Sequence, residues 1–187
     1  MLINFVLYTL PVIALISLAL YASAYLLFFR RRGRLSFPRH AVLYAALGYC
    51  LSLIYLTILW YWPFLTFHAG YYLLNLKPFV WLSQTYEMGA AKMLEQLVLN
   101  IGMFVPWGLL LPMTFPRLRA LWKTALTVLS TTLGIETLQY FLGRSADIDD
   151  VIMNLAGGLI GYAIFALCNR AFKGRPWWNK ALGEPVA

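Results

Sequence analysis

The sequence predicts an all-α protein, a polytopic bundle of transmembrane helices, and three observations support this prediction. Hydrophobic residues make up 61% of the chain and charged residues only 12%, with a mean hydropathy of +0.70. A soluble domain is about 45–50% apolar and about one quarter charged. The apolar residues form continuous runs without the alternation of a β-barrel. This composition excludes a disordered chain, a disulfide-stapled secreted domain and an ordinary soluble enzyme.

About five segments are predicted to span the membrane, within a single integral membrane domain that covers residues 1–187. A helix needs about 20 apolar residues to cross a hydrocarbon core about 30 Å thick. The first segment has no basic N-terminal region and no cleavage site before Arg30, so we interpret it as a span and not as a signal peptide. The segments are 2–29, 41–61, 93–111, 118–142 and 150–172, with a start for the third as early as Thr85 as an alternative.

The connection 62–92, between the second and third helices, is predicted to lie on the outer membrane interface or to dip into it as a re-entrant segment. Aromatic rings concentrate at that interface, where a ring can be partly apolar and partly hydrated. Simple packing over the bundle is the alternative. The aromatic residues of this connection are Trp62, Phe64, Phe67, Tyr71, Tyr72, Phe79, Trp81 and Tyr86.

The basic residues predict the orientation in the cell membrane. Twelve Lys and Arg follow the first, third and fifth spans, and three lie on the opposite side. Cytoplasmic loops carry the excess of Lys and Arg, so the N-terminus is expected outside and the C-terminus in the cytoplasm. This distribution accounts for the net charge of +8 without a nucleic-acid partner. The twelve lie in 30–39, 117–123 and 170–180, and the three are Lys77, Lys92 and Arg144.

Polar side chains concentrate near the outer ends of the third, fourth and fifth helices. Such groups are costly inside a membrane, so each needs a partner or a function. Glu136, Gln139 and Tyr140 share one face of the fourth helix, since they are three and four residues apart. The residues predicted to bind a ligand are Asn100, Glu136, Gln139, Tyr140, Arg144, Asp147, Asp149, Asp150 and Asn154.

Two interpretations of this cluster stay open. In the first, an ion-pair network around Arg144 fixes the hairpin of the fourth and fifth helices, with Asp147 or Asp149 as the helix cap. In the second, the cluster is an outward-facing polar recess that binds a headgroup or a peptide-like ligand. In the same hairpin, Gly157 and Gly161 have the small-xxx-small spacing that lets helix backbones approach closely.

Catalysis is left open by the sequence. Glu136 and Asp150 are the candidates for acid–base chemistry, whereas His40 and His68 have no clear nucleophile partner. No metal is expected, because the aspartate spacing departs from the EF-hand loop, and no cofactor is expected, because no phosphate-binding or dinucleotide-binding motif is present.

The polar motifs resemble the signature of the VanZ-like family. The run from Asp147 to Asn154, preceded by Glu136 and Arg144, matches one element of that signature. Residues 100–108 are similar to the family's Asn-x-x-x-Phe-x-Pro-x-Gly element. The resemblance covers a core of about 93–170, and the first two helices match only by hydropathy. The motif positions are Asn100, Pro106, Glu136, Gln139, Arg144, Asp147, Asp149, Asp150 and Asn154.

The resemblance implies a role in the cell envelope. The family takes its name from a membrane protein associated with low-level resistance to teicoplanin, a glycopeptide that acts on the outer side of the membrane. The expected partners are therefore membrane lipids and a cell-wall precursor or lipoglycopeptide, and binding would lower glycopeptide susceptibility. The alternative is a membrane enzyme that acts on a lipid-linked substrate, with Glu136 and an aspartate as acid and base. The oligomeric state is not predicted.

Overall fold

The protein is a bundle of α-helices, as the composition predicts. The computed structural model describes residues 5–29, 35–60, 74–80 and 89–185. Within these ranges it contains five long helices, one short helix and one pair of two-residue strands. The expectation of an interfacial or re-entrant segment at 62–92 falls mostly outside the described residues, which include only its parts 74–80 and 89–92.

The helices follow one another with short connections between the last four. Helix α1 runs from a π-helical turn Phe5–Thr9 through Leu10–Ala24 to a second π-helical turn Tyr25–Phe29. The other elements are α2 (Phe37–Thr57), β1 (Leu74–Asn75), α3 (Ala90–Thr114), a 3₁₀ turn (Pro116–Leu118), α4 (Leu121–Phe141), β2 (Ala146–Asp147), α5 (Ile148–Phe172) and α6 (Pro176–Leu182).

Hydrogen bonds between helices show that the long helices run alternately between two ends of the bundle. At one end, Arg39 in the first turn of α2 donates to the carbonyls of Met113 and Thr114 at the end of α3. At the other end, Asn100 of α3 donates to Asp150 in the first turn of α5. We call these the basic end and the acidic end after Arg39 and Asp150.

Helices α1 and α4 also reach from one end to the other. Tyr21 of α1 bonds to His40 at the basic end of α2. The hydroxyl of Tyr162 on α5 donates to the carbonyl of Arg119, just before α4, and the opposite end of α4 carries Glu136. Five of the described helices therefore run from one end of the bundle to the other.

Four of these helices are long and apolar enough to cross a membrane by themselves, namely Phe5–Leu27 within α1, and α2, α3 and α5 in full. Helix α4 has the length, at 21 residues, but its threonines and Glu136 make it less apolar. The hydroxyls of Thr127 and Thr131 donate to the carbonyls four residues earlier, so both hydroxyls have a hydrogen-bond partner within the helix. The described helices thus identify a membrane protein in which α4 is the most polar member.

Helices α3 and α5 pack backbone against backbone through glycines. A Cβ on Gly157 would overlap the Ile101 carbonyl, and one on Gly161 would overlap the Val105 carbonyl. On the facing helix, a Cβ on Gly108 would overlap the backbone of α5. The small-residue spacing therefore has the packing role that it predicts, because any side chain at these positions would push the helices apart.

The main hydrophobic core lies among α2, α3 and α4. Phe104 and Val128 are fully buried, and Leu53, Leu111 and Ile135 pack with them. A second cluster lies at the basic end, where α6 places Trp178 and Leu182 against Phe165 of α5.

Candidate functional site

The site is built around the first turn of α5 at the acidic end. Asp147 is the N-cap of this helix, and its Oδ1 accepts a hydrogen bond from the Asp149 N–H at 2.9 Å. An N-cap carboxylate satisfies one of the free N–H groups and interacts favourably with the positive end of the helix dipole. Of the two caps predicted from the sequence, Asp147 and Asp149, the structure has Asp147.

Glu136 ties the end of α4 to the same turn. Its Oε2 accepts a hydrogen bond from the backbone N–H of Asp147 at 3.0 Å, and the residue is only 6% exposed. A buried carboxylate needs such donors, since a charge without partners is strongly unfavourable in an apolar interior. The contact holds the α4–α5 hairpin closed.

Residues 74–80, which we call the covering segment, lie across this turn. β1 pairs with β2 in parallel, with Leu74 opposite Ala146 and Asn75 opposite Asp147. Asn75 Nδ2 also donates to Asp147 Oδ1 at 3.0 Å. Further along, the Phe79 N–H donates to Asp149 Oδ1 at 2.6 Å. The covering segment therefore donates hydrogen bonds to two of the three aspartates, Asp147 and Asp149.

The third aspartate contacts α3. Asn100 Nδ2 donates to Asp150 Oδ1 at 2.5 Å and lies 4.0 Å from the sulfur of Met153. Asn100 and Phe104 are four residues apart, so the fully buried Phe104 ring lies one turn deeper on the same face. The Asn100–Asp150 pair is thus the last polar contact between α3 and α5 before the apolar core.

Gln139 and Arg144 meet on a single carbonyl at the end of α2. The Thr57 oxygen accepts from Gln139 Nε2 at 2.8 Å and from Arg144 Nη1 at 3.1 Å. The last carbonyls of a helix have no partner within the helix, so side-chain donors commonly satisfy them. These two residues attach the end of α2 to the α4–α5 hairpin.

Asn154 lies one helical turn below Asp150 and is 4% exposed. Its Nδ2 donates to the hydroxyl of Thr132 on α4 at 2.9 Å. Within the described part of the chain, its Oδ1 has no hydrogen-bond partner. Thr132 is in turn four residues from Glu136, so the Asn154–Thr132 pair lies directly beneath the carboxylates. A buried acceptor therefore remains available at the floor of the cluster.

Tyr140 follows Gln139 directly on α4. It is half-buried, and its ring lies edge-on to Phe141 with 5.8 Å between the ring centroids. The structure brings Asn100, Glu136, Gln139, Arg144, the three aspartates and Asn154 to the α5 start or to its direct neighbours.

The cluster is partly enclosed: four of its residues are buried, and Asn100, Arg144, Asp147 and Asp150 are half-buried. Glu136 and Gln139 are 6% exposed, and Asp149 and Asn154 are 4% exposed. Four carboxyl groups and one guanidinium lie in the site, so its acidic side chains outnumber its basic ones. Among the described residues, no group of three or more His, Cys, Asp or Glu side chains is arranged to hold a metal ion.

Four residues of the site were missed by the sequence analysis: Thr57, Asn75, Phe79 and Thr132. Thr57 and Phe79 act through backbone groups, which leave no trace in a side-chain pattern. Asn75 comes from a two-residue strand too short for any periodic signal. Thr132 could have been found, since it is one turn from Glu136 on the same helix face.

Taken together, the fold and the site define an integral membrane protein with a buried, carboxylate-rich cluster at one end of a helical bundle. A family model described as VanZ/LLP1 matches residues 5–169, so the chain belongs to the VanZ-like family. The match includes α1 and α2, which the motifs alone did not reach.

A search of curated proteins found a relative over part of this length. Protein VanZ of Enterococcus faecium is 36% identical over 98 residues, which are 52% of this chain and 55% of that protein. The chain therefore matches about half the length of this curated relative. No solved structure matches the chain.

Proposed function

We propose that this protein acts in the cell envelope and lowers susceptibility to teicoplanin-type lipoglycopeptides. In this proposal the acidic cluster faces the outside and binds a polar part of an envelope component, which is a lipid headgroup, a cell-wall precursor or the lipoglycopeptide itself. The observation that carries the proposal is the convergence of Glu136, Asp147, Asp149 and Asp150 on one helix start inside a membrane bundle.

The arrangement of donors and acceptors supports a polar ligand. The free acceptor Oδ1 of Asn154 lies beneath the carboxylates, so the floor of the site can still receive a donor. Buried polar groups usually have partners, and the exceptions often mark functional positions. The site favours donor groups such as ammonium, amide N–H or hydroxyl, because its side chains are mostly acceptors.

Entry of a ligand requires the covering segment to move. Asn75 and Phe79 occupy acceptor atoms of Asp147 and Asp149 through single hydrogen bonds. A hydrogen bond of this kind contributes about 0.5–1.5 kcal/mol net, so a ligand that supplies equivalent donors can replace it. The covering segment thus acts as an exchangeable cover over the aspartates.

The test is expression in a glycopeptide-sensitive host, with measurement of teicoplanin and vancomycin susceptibility. We expect the wild-type protein to lower teicoplanin susceptibility relative to the empty vector. Glu136→Gln should abolish this effect, because it removes the charge while an amide oxygen remains to accept from Asp147. Membrane content of each variant is measured by immunoblot.

Thr137→Ala is the matched control. Thr137 neighbours Glu136 on α4, but it is exposed and donates only to the Leu133 carbonyl of its own helix. This variant should protect like the wild type. If wild type, Glu136→Gln and empty vector give the same susceptibility at equal protein level, the antibiotic part of the proposal is wrong.

The alternative is an enzyme acting on a lipid-linked substrate, with Glu136 and Asp150 as acid and base. It is favoured by the burial of Glu136 and by the contact between Asp150 and Asn100, which fix two carboxyl groups at facing helix ends. The same strains distinguish it through their lipid and muropeptide profiles. A product that disappears in Glu136→Gln and Asp150→Asn supports the enzyme, and unchanged profiles contradict it.

A further inference from the structure

The basic end of the bundle carries an excess of positive charge, which has no part in the proposed function. Eight Lys and Arg of the described residues lie there, against one carboxylate, Glu184. Glu184 is already paired with Arg119. Trp122 and Trp177 are 62% and 50% exposed at the same end, as is typical of side chains at a membrane–water interface. The eight are Arg39, Arg117, Arg119, Lys123, Arg170, Lys173, Arg175 and Lys180.

A cavity of about 220 Å³ lies at this end, between the start of α2 and the end of α6. Arg39 and Lys180 line it together with Ser36 and Glu184. Because α2 begins at Phe37 and α3 ends at Thr114, the cavity lies where the helices leave the apolar layer. That is the depth of lipid headgroups.

Arg39 is held in place at the edge of this cavity. Its Nη1 donates to the carbonyls of Met113 and Ala181 at 2.7 and 3.2 Å, and its Nη2 donates to Thr114 at 2.7 Å. A guanidinium has five N–H donors, so these bonds leave the Nε–H and one Nη2–H available. Within the described part of the chain, Arg39 has no carboxylate partner.

Gly183 keeps the Nε side of Arg39 accessible. Its φ of 71° is in the left-handed region, and a Cβ built there would lie 3.0 Å from Nε of Arg39. A side chain at this position would therefore cover the free donor. Lys180 adds a second cation, and its exposed side chain is free to turn toward the same space.

We propose that this cavity binds the phosphate of an anionic phospholipid, with Arg39 as the fixed donor and Lys180 as the mobile cation. Guanidinium and ammonium groups are the cationic side chains that commonly bind phosphate in proteins. The surrounding excess of basic residues attracts anionic lipid to this end of the bundle. Phe37, the residue after Ser36, is 84% exposed and offers an apolar ring to the acyl region of the same lipid.

The experiment is a native mass spectrometry titration of the full chain in neutral detergent. Phosphatidylglycerol and phosphatidylcholine with identical acyl chains are compared, with inorganic phosphate as a third probe. We expect phosphatidylglycerol to bind more tightly than phosphatidylcholine. Lys180→Gln should raise the phosphatidylglycerol Kd about five-fold, which is the effect of one basic residue near an anionic headgroup.

Two lysine variants serve as controls, and none of the three changes a buried side chain. Lys173→Gln alters the same end outside the cavity, and Lys92→Gln alters the acidic end. Both should keep the wild-type Kd within two-fold. The proposal is overturned if the two lipids bind equally, if Lys173→Gln weakens binding as much as Lys180→Gln, or if inorganic phosphate binds as tightly as the lipid.

Discussion

Asp147 connects three parts of the chain with a single peptide unit and a single carboxylate. Its N–H donates to Glu136 of α4, and its Oδ1 accepts from Asp149 and from Asn75 of the covering segment. Because one side-chain oxygen serves both the cap and the covering segment, removing it affects the helix start and the cover together.

Replacing Asp147 with alanine is expected to lower the free energy of unfolding by about 1–2 kcal/mol. Loss of the cap accounts for about 1 kcal/mol, and the unpaired Asn75 amide adds a similar amount. Asp147→Asn should stay close to wild type, since asparagine is an equally good N-cap. The measurement is SDS-induced unfolding of the detergent-solubilised protein, followed by circular dichroism.

Ser145→Ala is the control for this comparison, because Ser145 is exposed two residues before Asp147. It should unfold with the wild-type midpoint. Equal destabilisation by Asp147→Asn and Asp147→Ala would show that the charge, and not the oxygen acceptor, stabilises this turn.

At the scale of elements, the contact between α3 and α5 depends on the absence of side chains. Gly157 faces the Ile101 carbonyl so closely that a Cβ has no room, whereas Gly102, one residue further along α3, faces open space. Backbone cannot move aside as a flexible side chain does, so the helices themselves would have to separate. Gly157 is therefore buried against backbone, whereas Gly102 is exposed.

We expect Gly157→Ala to destabilise the bundle by about 1–3 kcal/mol, the range for inserting atoms into a packed interior. Gly102→Ala should be neutral or stabilising by up to about 1 kcal/mol, because alanine is the better helix former. Both variants are compared by the same SDS unfolding assay. A stable Gly157→Ala protein with wild-type midpoint would contradict the close packing of α3 and α5.

How far the sequence predicts these elements depends on the kind of signal each one leaves. The spans follow from long apolar runs, and the cap follows from the aspartates on either side of Ile148, because both are local patterns. The β1–β2 pair and the double contact on Thr57 are not local. The strands pair residues 72 positions apart, and the Thr57 carbonyl accepts from side chains 82 and 87 positions away. No composition or periodicity encodes such contacts.

On the scale of the whole molecule, the separation of charge between the two ends predicts a fixed orientation in the membrane. Ser145 lies exposed in the α4–α5 connection at the acidic end, and Lys173 lies exposed after α5 at the basic end. The excess of basic residues at one end favours the cytoplasm for that end. The two positions should therefore be accessible from opposite sides.

Cysteine labelling of intact cells tests this orientation. Cys50 and Cys168 are first replaced by alanine, and then Ser145→Cys or Lys173→Cys is introduced singly. A membrane-impermeant maleimide should label Ser145→Cys on intact cells and Lys173→Cys only after lysis. The opposite pattern would place the carboxylates in the cytoplasm and remove the basis for an interaction with extracellular antibiotics.

The glycine-mediated contact between α3 and α5 also determines which of the helices around the acidic cluster can move. Because α3 and α5 touch through main-chain atoms, we expect them to move as one rigid unit. The distance between Asn100 and Asp150 would then stay the same. Gly158, by contrast, faces the side chain of Val128 on α4, which can change rotamer. We therefore expect a ligand to enter through a movement of α4 or of residues 74–80, and not through a separation of α3 from α5.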